Sequence, residues 1–168
     1  MLIRHALKIG DIGRITYLHG VLYAKEHGYD YTFEAYVAEP LGQFAKRSNA
    51  RERIWIVEDN GEVLGSIALC EVSAKEAQLR WFLVSPELRG KGVGKKLLNS
   101  LIDFAKEQSY EEISLWTVKG LEAAKNIYIA SGFTLQEEIE HLVWGSNHTE
   151  QKYVRSVSVE TLMSVKTA

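Results

Sequence analysis

The stretch Leu83 to Leu98, LVSPELRGKGVGKKLL, constrains the fold more than any other part of the chain. An apolar run stops at Pro86, glycines alternate with cations from Arg89 onward, and leucines at helical spacing begin at once. Proline cannot continue a strand ladder, and glycine frees the backbone where it turns from strand into helix. A strand feeding a helix through a short turn packs that helix back on its own sheet, which points to an α/β fold.

The flanking segments supply the remaining elements. Leu2–Leu7 reads as a short strand, and GDIGRITYLHGVLYAKEHG as a helix capped by Asp11 and closed near Gly28. A second helix is expected from Phe33 to Lys46, where Pro40 should kink or divide it. Asp59-Asn60-Gly61 separates two β-rich runs and predicts a hairpin, and Ala77–Val84 is the third strand of that meander. Leu97, Leu98, Leu101, Ile102 and Ala105 make a helical stripe from Val93 to about Gln108. Ile113–Val118 is then a buried strand expected to run parallel to its predecessor. A short helix over about Leu121–Ser131 closes at Gly132, and strands follow over about Thr134–His141 and Lys152–Val159.

With 168 residues and no linker or repeat, the chain is expected to form a single domain over 1–168. A net charge of −2 gives no general attraction to nucleic acid or anionic membrane, so any cationic site must be local. The single cysteine, Cys70, excludes an internal disulfide framework, and no Cys/His cluster has zinc spacing, so no metal is expected. Cys70 lies in the strand interior SIALCEV and reads as a small core residue rather than a nucleophile. The N-terminal residues contain no apolar run of leader length, and no window approaches the ~20 apolar residues of a membrane span. A cytoplasmic enzyme or binding domain is expected.

The glycine turn fits neither of two familiar phosphate motifs. A P-loop needs glycine in place of Arg89 and serine or threonine in place of Lys96. A dinucleotide fingerprint needs its third glycine at Lys95 or Leu97, depending on whether it starts at Gly90 or Gly92. The physical content of the turn survives. Glycines remove side chains where the backbone enters a helix, and the first helical N–H groups have no internal partner. Arg89, Lys91, Lys95 and Lys96 crowd a helix N-terminus, where the dipole disfavours cations by about 0.3–1 kcal/mol each. A polyanionic ligand reverses that sign; a solvated charge run on a flexible turn is the other reading.

The segment LVSPELRGKGVGKKLL resembles the acyl-CoA signature of the GNAT superfamily of N-acetyltransferases, with Arg89, Gly92 and Gly94 at its fixed positions. AAKNIYIASGF resembles the same family's downstream segment, with Ala124, Tyr128, Gly132 and Phe133 in register. HGVLYAKEHGYDYTFEAYVAE, LWTV followed by GLEAAKNIY, and VWG further resemble the acetyltransferase half of bacterial proteins that fuse a MarR-type DNA-binding domain to a GNAT domain. Only the catalytic half has a counterpart among these 168 residues.

The resemblance implies a GNAT fold, a twisted mixed sheet of about six or seven strands flanked by about four helices. It implies acetyl-CoA as co-substrate and direct acetyl transfer to a primary amine of a small molecule or peptide. Backbone groups of Phe82, Leu83 and Val84 would pair with the pantetheine arm, and Gly90, Lys91, Gly92, Val93, Gly94 and Lys95, with Arg89, would hold the pyrophosphate. Tyr128 would protonate the departing thiolate. The chain departs from the family pattern at Leu121, where many members have a cofactor-contacting asparagine that Asn126 could replace. It departs again around Trp116, where many have a glutamate base. The acceptor side should be lined by the first two helices, where His19, Tyr23, Glu26 and Glu34 fall; His19, Tyr23 and Glu26 share one helix face. Tyr23, Tyr29, Tyr31 and Trp144 with these glutamates suit a cationic amine. The alternative is a sensor or interaction domain that binds acyl-CoA without turnover, and the C-terminal strand is available for pairing across a two-fold axis in a homodimer.

Overall fold

The computed structural model describes residues 1–158. Its order is β1 (Leu2–Arg4), α1 (Asp11–His27), α2 (Tyr31–Lys46), β2 (Arg53–Asp59), β3 (Glu62–Glu71), β4 (Glu76–Val84), α3 (Val93–Glu107), β5 (Glu112–Val118), α4 (Glu122–Ala130), β6 (Thr134–Val143) and β7 (Ser146–Ser156). The strands form one seven-stranded sheet in the order β1-β2-β3-β4-β5-β7-β6. All neighbours are antiparallel except β4 and β5, which run parallel as the helical crossover between them requires.

Alternation along the strands builds a core on each face. On β3, Ile67 and Leu69 pack with Leu97, Leu98 and Leu101 of α3, while Ala68 and Cys70 pack with Val37, Leu41 and Phe44 of α2. The Asn60-Gly61 turn takes φ of 50° and 82°, the left-handed pair of a two-residue hairpin.

The β4–β5 pairing positions the site. It holds only at Glu76↔Glu112, Ala77↔Ile113 and Gln78↔Ser114, beyond which the strands part. On its other side β4 carries a bulge: the register passes from Ser66↔Leu83 to Ala68↔Arg80, and Trp81 takes a φ of 47°. Ser66 Oγ donates to the Trp81 carbonyl at 2.7 Å and so fixes this irregular backbone. A bulge re-aims side chains and twists the strand, which sets β4 apart from β5.

Three expectations need correction. Asp11 is not the cap of α1; Gly10 holds that position at a φ of 93°, and Asp11 sits one residue inside. Its carboxylate is taken instead by Arg4, at 2.8 and 2.7 Å, and by the Lys8 N–H at 2.6 Å. Pro40 does not divide α2, because the buried stripe Phe33, Val37, Leu41 and Phe44 runs across it and outweighs the lost helical bond. The final strand starts at Ser146 rather than Lys152, through a hairpin at Trp144 and Gly145 with φ of 53° and 90°. Its expected end at Val159 lies outside the described residues.

The Asp11 pair has a pH consequence. Burial pushes this carboxyl up, but the bonds from Arg4 and Lys8 outweigh burial and hold it below its usual range. A depressed folded pKa contributes stability that is present at neutral pH and is lost as pH falls through the folded value, below the usual carboxylate range. Asp11→Asn should therefore show a smaller difference between urea stabilities at neutral pH and at about pH 3 than the wild type. An unchanged difference would remove this pair from the account.

Candidate functional site

The turn after β4 passes through a single 3₁₀ turn at Pro86–Leu88 and reaches α3 over Gly90 and Gly92, at φ of 74° and 76°. L side chains in this region cost ~1–2 kcal/mol, so these glycines are conformational requirements. Helix α3 begins with no side-chain cap and no acidic residue in its first turn. Its first backbone bond runs from the Lys96 N–H to the Gly92 carbonyl at 3.0 Å, which leaves the Val93, Gly94 and Lys95 N–H groups without a helical partner. Gly94 serves differently, since its φ is not positive. A Cβ there would lie 3.4 Å from Phe82 Cζ and 3.6 Å from Ile127 Cδ1, in the wall of the cleft that this turn borders.

That cleft has a volume of about 520 Å³, within the usual range of small-molecule sites. Phe82, Leu83 and Val84 form one wall, and Arg89 through Lys95 form the floor with the exception of Lys91, which is exposed. Tyr23 and Glu26 of α1 and Ala124 and Ile127 of α4 close it from above. Asn126, expected to replace the missing asparagine, is exposed and does not line this cleft, where α4 presents Ala124 and Ile127. Leu121 itself lies in the wall. Glu26 lines this cleft, where it takes the Arg89 guanidinium at 3.0 and 3.1 Å, while Arg89 Nε donates to the Val84 carbonyl at 3.0 Å. The pair ties α1 to the cationic turn.

A second cavity, of about 120 Å³, adjoins the first where β4 and β5 part, and the two share Tyr23, Phe82, Leu121 and Ala124. Tyr128 of α4 lines this smaller cavity and is 5 % exposed. Burial, with Tyr23 nearby, pushes its phenol above the usual tyrosine range, so the hydroxyl carries its proton at neutral pH. Burial likewise pushes Tyr23 up to about 12, with Glu26 adding to the rise. Across from them stand Tyr29, Phe33, Tyr36 and Trp144. The Trp144 ring lies 5.1 Å from Tyr29 and 5.0 Å from Phe33, centroid to centroid.

His19 also lines this cavity and is 3 % exposed. Its Nδ1 sits 2.8 Å from the Ile15 carbonyl. A carbonyl only accepts, so Nδ1 holds the ring proton and Nε2 is a bare acceptor. Burial lowers its pKa to about 4, which makes it a neutral hydrogen-bond acceptor and a poor proton store. Glu34 lines neither cavity: it lies one residue off the buried stripe of α2, exposed, with its carboxylate against Gly20 of α1. Residue types and spacing did not single out Gln78, Arg80 and Glu150, which line the smaller cavity, since strand pairing far along the chain brings them there. Burial and Glu52 push the Cys70 thiol up to about 12, and Cys70 borders neither cavity, so it offers no thiolate for acyl transfer.

Among the described residues no cluster of His, Cys, Asp or Glu could hold a metal ion, and no helix is long and apolar enough to cross a membrane. Rat N-acetyltransferase 8F1 is 31% identical over 90 residues, covering 51% of this chain and 41% of that one. Mouse N-acetyltransferase 8 is 31% identical over 97 residues, covering 54% and 43%. The chain thus spans about four-tenths of the length of the curated relatives it matches. A Streptococcus agalactiae acetyltransferase has a similar fold, with a TM-score of 0.73 at 21% identity over 92% of this chain and 97% of that one. A Salmonella typhimurium acetyltransferase solved with its cofactor acetyl-CoA gives 0.74 at 20% identity over 95% of each. A model of the acetyltransferase (GNAT) family matches residues 13–133, and with the parted strands and the glycine turn in place, the chain belongs to that family.

Proposed function

We propose that the protein is an acetyl-CoA-dependent N-acetyltransferase, a single domain over residues 1–168, that moves the acetyl group directly to a primary amine. The observation that carries this reading is the junction of the two cavities. One has a floor of glycines and unpaired helical N–H groups suited to a pyrophosphate. The other is aromatic and holds a buried, protonated phenol beside the shared wall. The fit to acetyl-CoA is supported by Gly94, where an added Cβ would stand against Phe82 and Ile127 in the cleft wall, beside the unpaired helical N–H groups.

Acetyl-CoA would supply an acyl carbon activated as a thioester. The residues of this chain do the rest. The turn and α3 fix the phosphates, the exposed backbone edge of β4 beyond Gln78 is free to pair with the amides of the arm, and Tyr128 gives its proton to the sulfur. The resemblance to the catalytic half of MarR–GNAT fusions supports the same reading and brings no DNA-binding role with it. Purified protein should release free thiol from acetyl-CoA in the presence of a suitable primary amine, measured across amino acids, polyamines, aminoglycosides and peptide N-termini. Tight acetyl-CoA binding with no thiol release for any amine would favour a non-catalytic acyl-CoA sensor instead.

A further inference from the structure

We propose that the smaller cavity is an amino-acid site: the acceptor's ammonium lies on Glu150 and His19 Nε2, and its carboxylate lies on Arg80. The fate of the bound amine rests on the acetyl-transfer reading; its recognition rests on the following geometry.

Three of the polar residues that line this cavity are incompletely paired within the protein. Arg80 of β4 is half-buried, with its guanidinium over the Trp81 ring at 5.0 Å, and among the described residues it has no carboxylate partner. Arg47, Arg51 and Arg89, by contrast, each hold a glutamate at about 3 Å. Glu150 of β7 has a side chain only 18% exposed, and one of its oxygens lies 3.2 Å from His141 Nε2. His19 Nε2 is fully buried with no hydrogen-bond partner. A buried acceptor without a donor is costly, and a ligand N–H removes that cost.

These groups present one positive charge, one negative charge and one neutral acceptor. A zwitterion bearing an ammonium and a carboxylate matches all of them. A polyamine would bring a second cation towards Arg80, and a simple amine would leave Arg80 unpaired. The volume of about 120 Å³ admits a compact molecule rather than a peptide. The rings of Tyr29, Phe33 and Trp144 provide an apolar wall and a face for the ammonium.

In the transfer step the ammonium gives one proton to the Glu150 carboxylate, and the freed nitrogen pair forms the C–N bond to the thioester carbon. The C–S bond breaks with its electron pair on sulfur, and Tyr128 protonates that sulfur. The second proton leaving the nitrogen returns to the Tyr128 oxygen, and Glu150 releases its proton to solvent.

Calorimetry on the protein loaded with coenzyme A tests recognition apart from chemistry, with alanine, serine and leucine, their methyl esters and the corresponding decarboxylated amines as probes. Free amino acids should bind about tenfold tighter or more than their esters. Arg80→Gln should bring the acids down to the ester level while coenzyme A and ester affinities hold, and Glu150→Gln should weaken acids and esters alike. Equal affinity of acid and ester in the wild type, discrimination that survives Arg80→Gln, or no amino-acid binding overturns the proposal; the wild-type comparison stands even if a variant fails to fold. If amino acids bind in this pattern but release no thiol from acetyl-CoA, the site stands and the transfer reading falls. If amines lacking a carboxylate release thiol as fast as amino acids, transfer stands and the amino-acid site falls.

Discussion

Tyr128→Phe will bind acetyl-CoA as the wild type does and turn over about 10²–10⁴-fold more slowly. The substitution removes one oxygen and keeps the ring, whose centroid lies 6.0 Å from those of Phe82 and Phe133 in the core. Packing and stability should therefore change little, and the loss should fall on kcat rather than on cofactor affinity. Burial raises the phenol's pKa, so the hydroxyl enters the step protonated and has a proton to give as the C–S bond breaks. A phenylalanine variant with wild-type kcat would reduce Tyr128 to a packing residue. A variant that lost cofactor affinity in step with kcat would make it a binding residue.

Gly94→Val should cost acetyl-CoA binding at least about tenfold, or 1.4 kcal/mol, in a protein that still folds. Gly94 is the cleanest probe of the glycine turn because its conformation is ordinary, whereas Gly90 and Gly92 occupy the left-handed region. A valine at Gly92 would confound strain in the turn with loss of the ligand. At Gly94 the first added carbon makes an ordinary contact with the Phe82 ring at 3.4 Å, so the expected loss comes from the two further methyl groups beside the cleft and its unpaired N–H groups. Calorimetry showing wild-type affinity in a folded Gly94→Val protein would place the pyrophosphate elsewhere.

Local chemistry made much of this protein legible in its sequence. The Asn60-Gly61 hairpin, the stop at Pro86 and the leucine stripe of α3 each depend on neighbours within a few residues. The hairpin at Trp144 and Gly145 was not legible, because SNHTEQ is polar and lacks the alternation of a half-buried strand. That segment is a strand because β5 and β6 bracket it: Glu150 pairs with Val118 on one side and Ile139 on the other. The site divides in the same way. The glycine turn could be read directly, since its function is written in backbone freedom and helix polarity. The pairing of Glu26 with Arg89 was not legible, because the two lie 63 residues apart. Arg80 and Glu150 escaped notice because only the parting of β4 from β5 brings them to one cavity.

The central claim is that the two adjoining cavities form one active site, with the phosphates on the glycine turn and the reacting sulfur beside Tyr128. A crystal structure with coenzyme A bound tests it most directly. The pyrophosphate should accept hydrogen bonds from the Val93, Gly94 and Lys95 N–H groups, and the sulfur should pass the shared wall of Tyr23 and Phe82 to reach the Tyr128 hydroxyl. Pyrophosphate bound away from α3, or a sulfur that ends on the far side of the cleft from Tyr128, would contradict it.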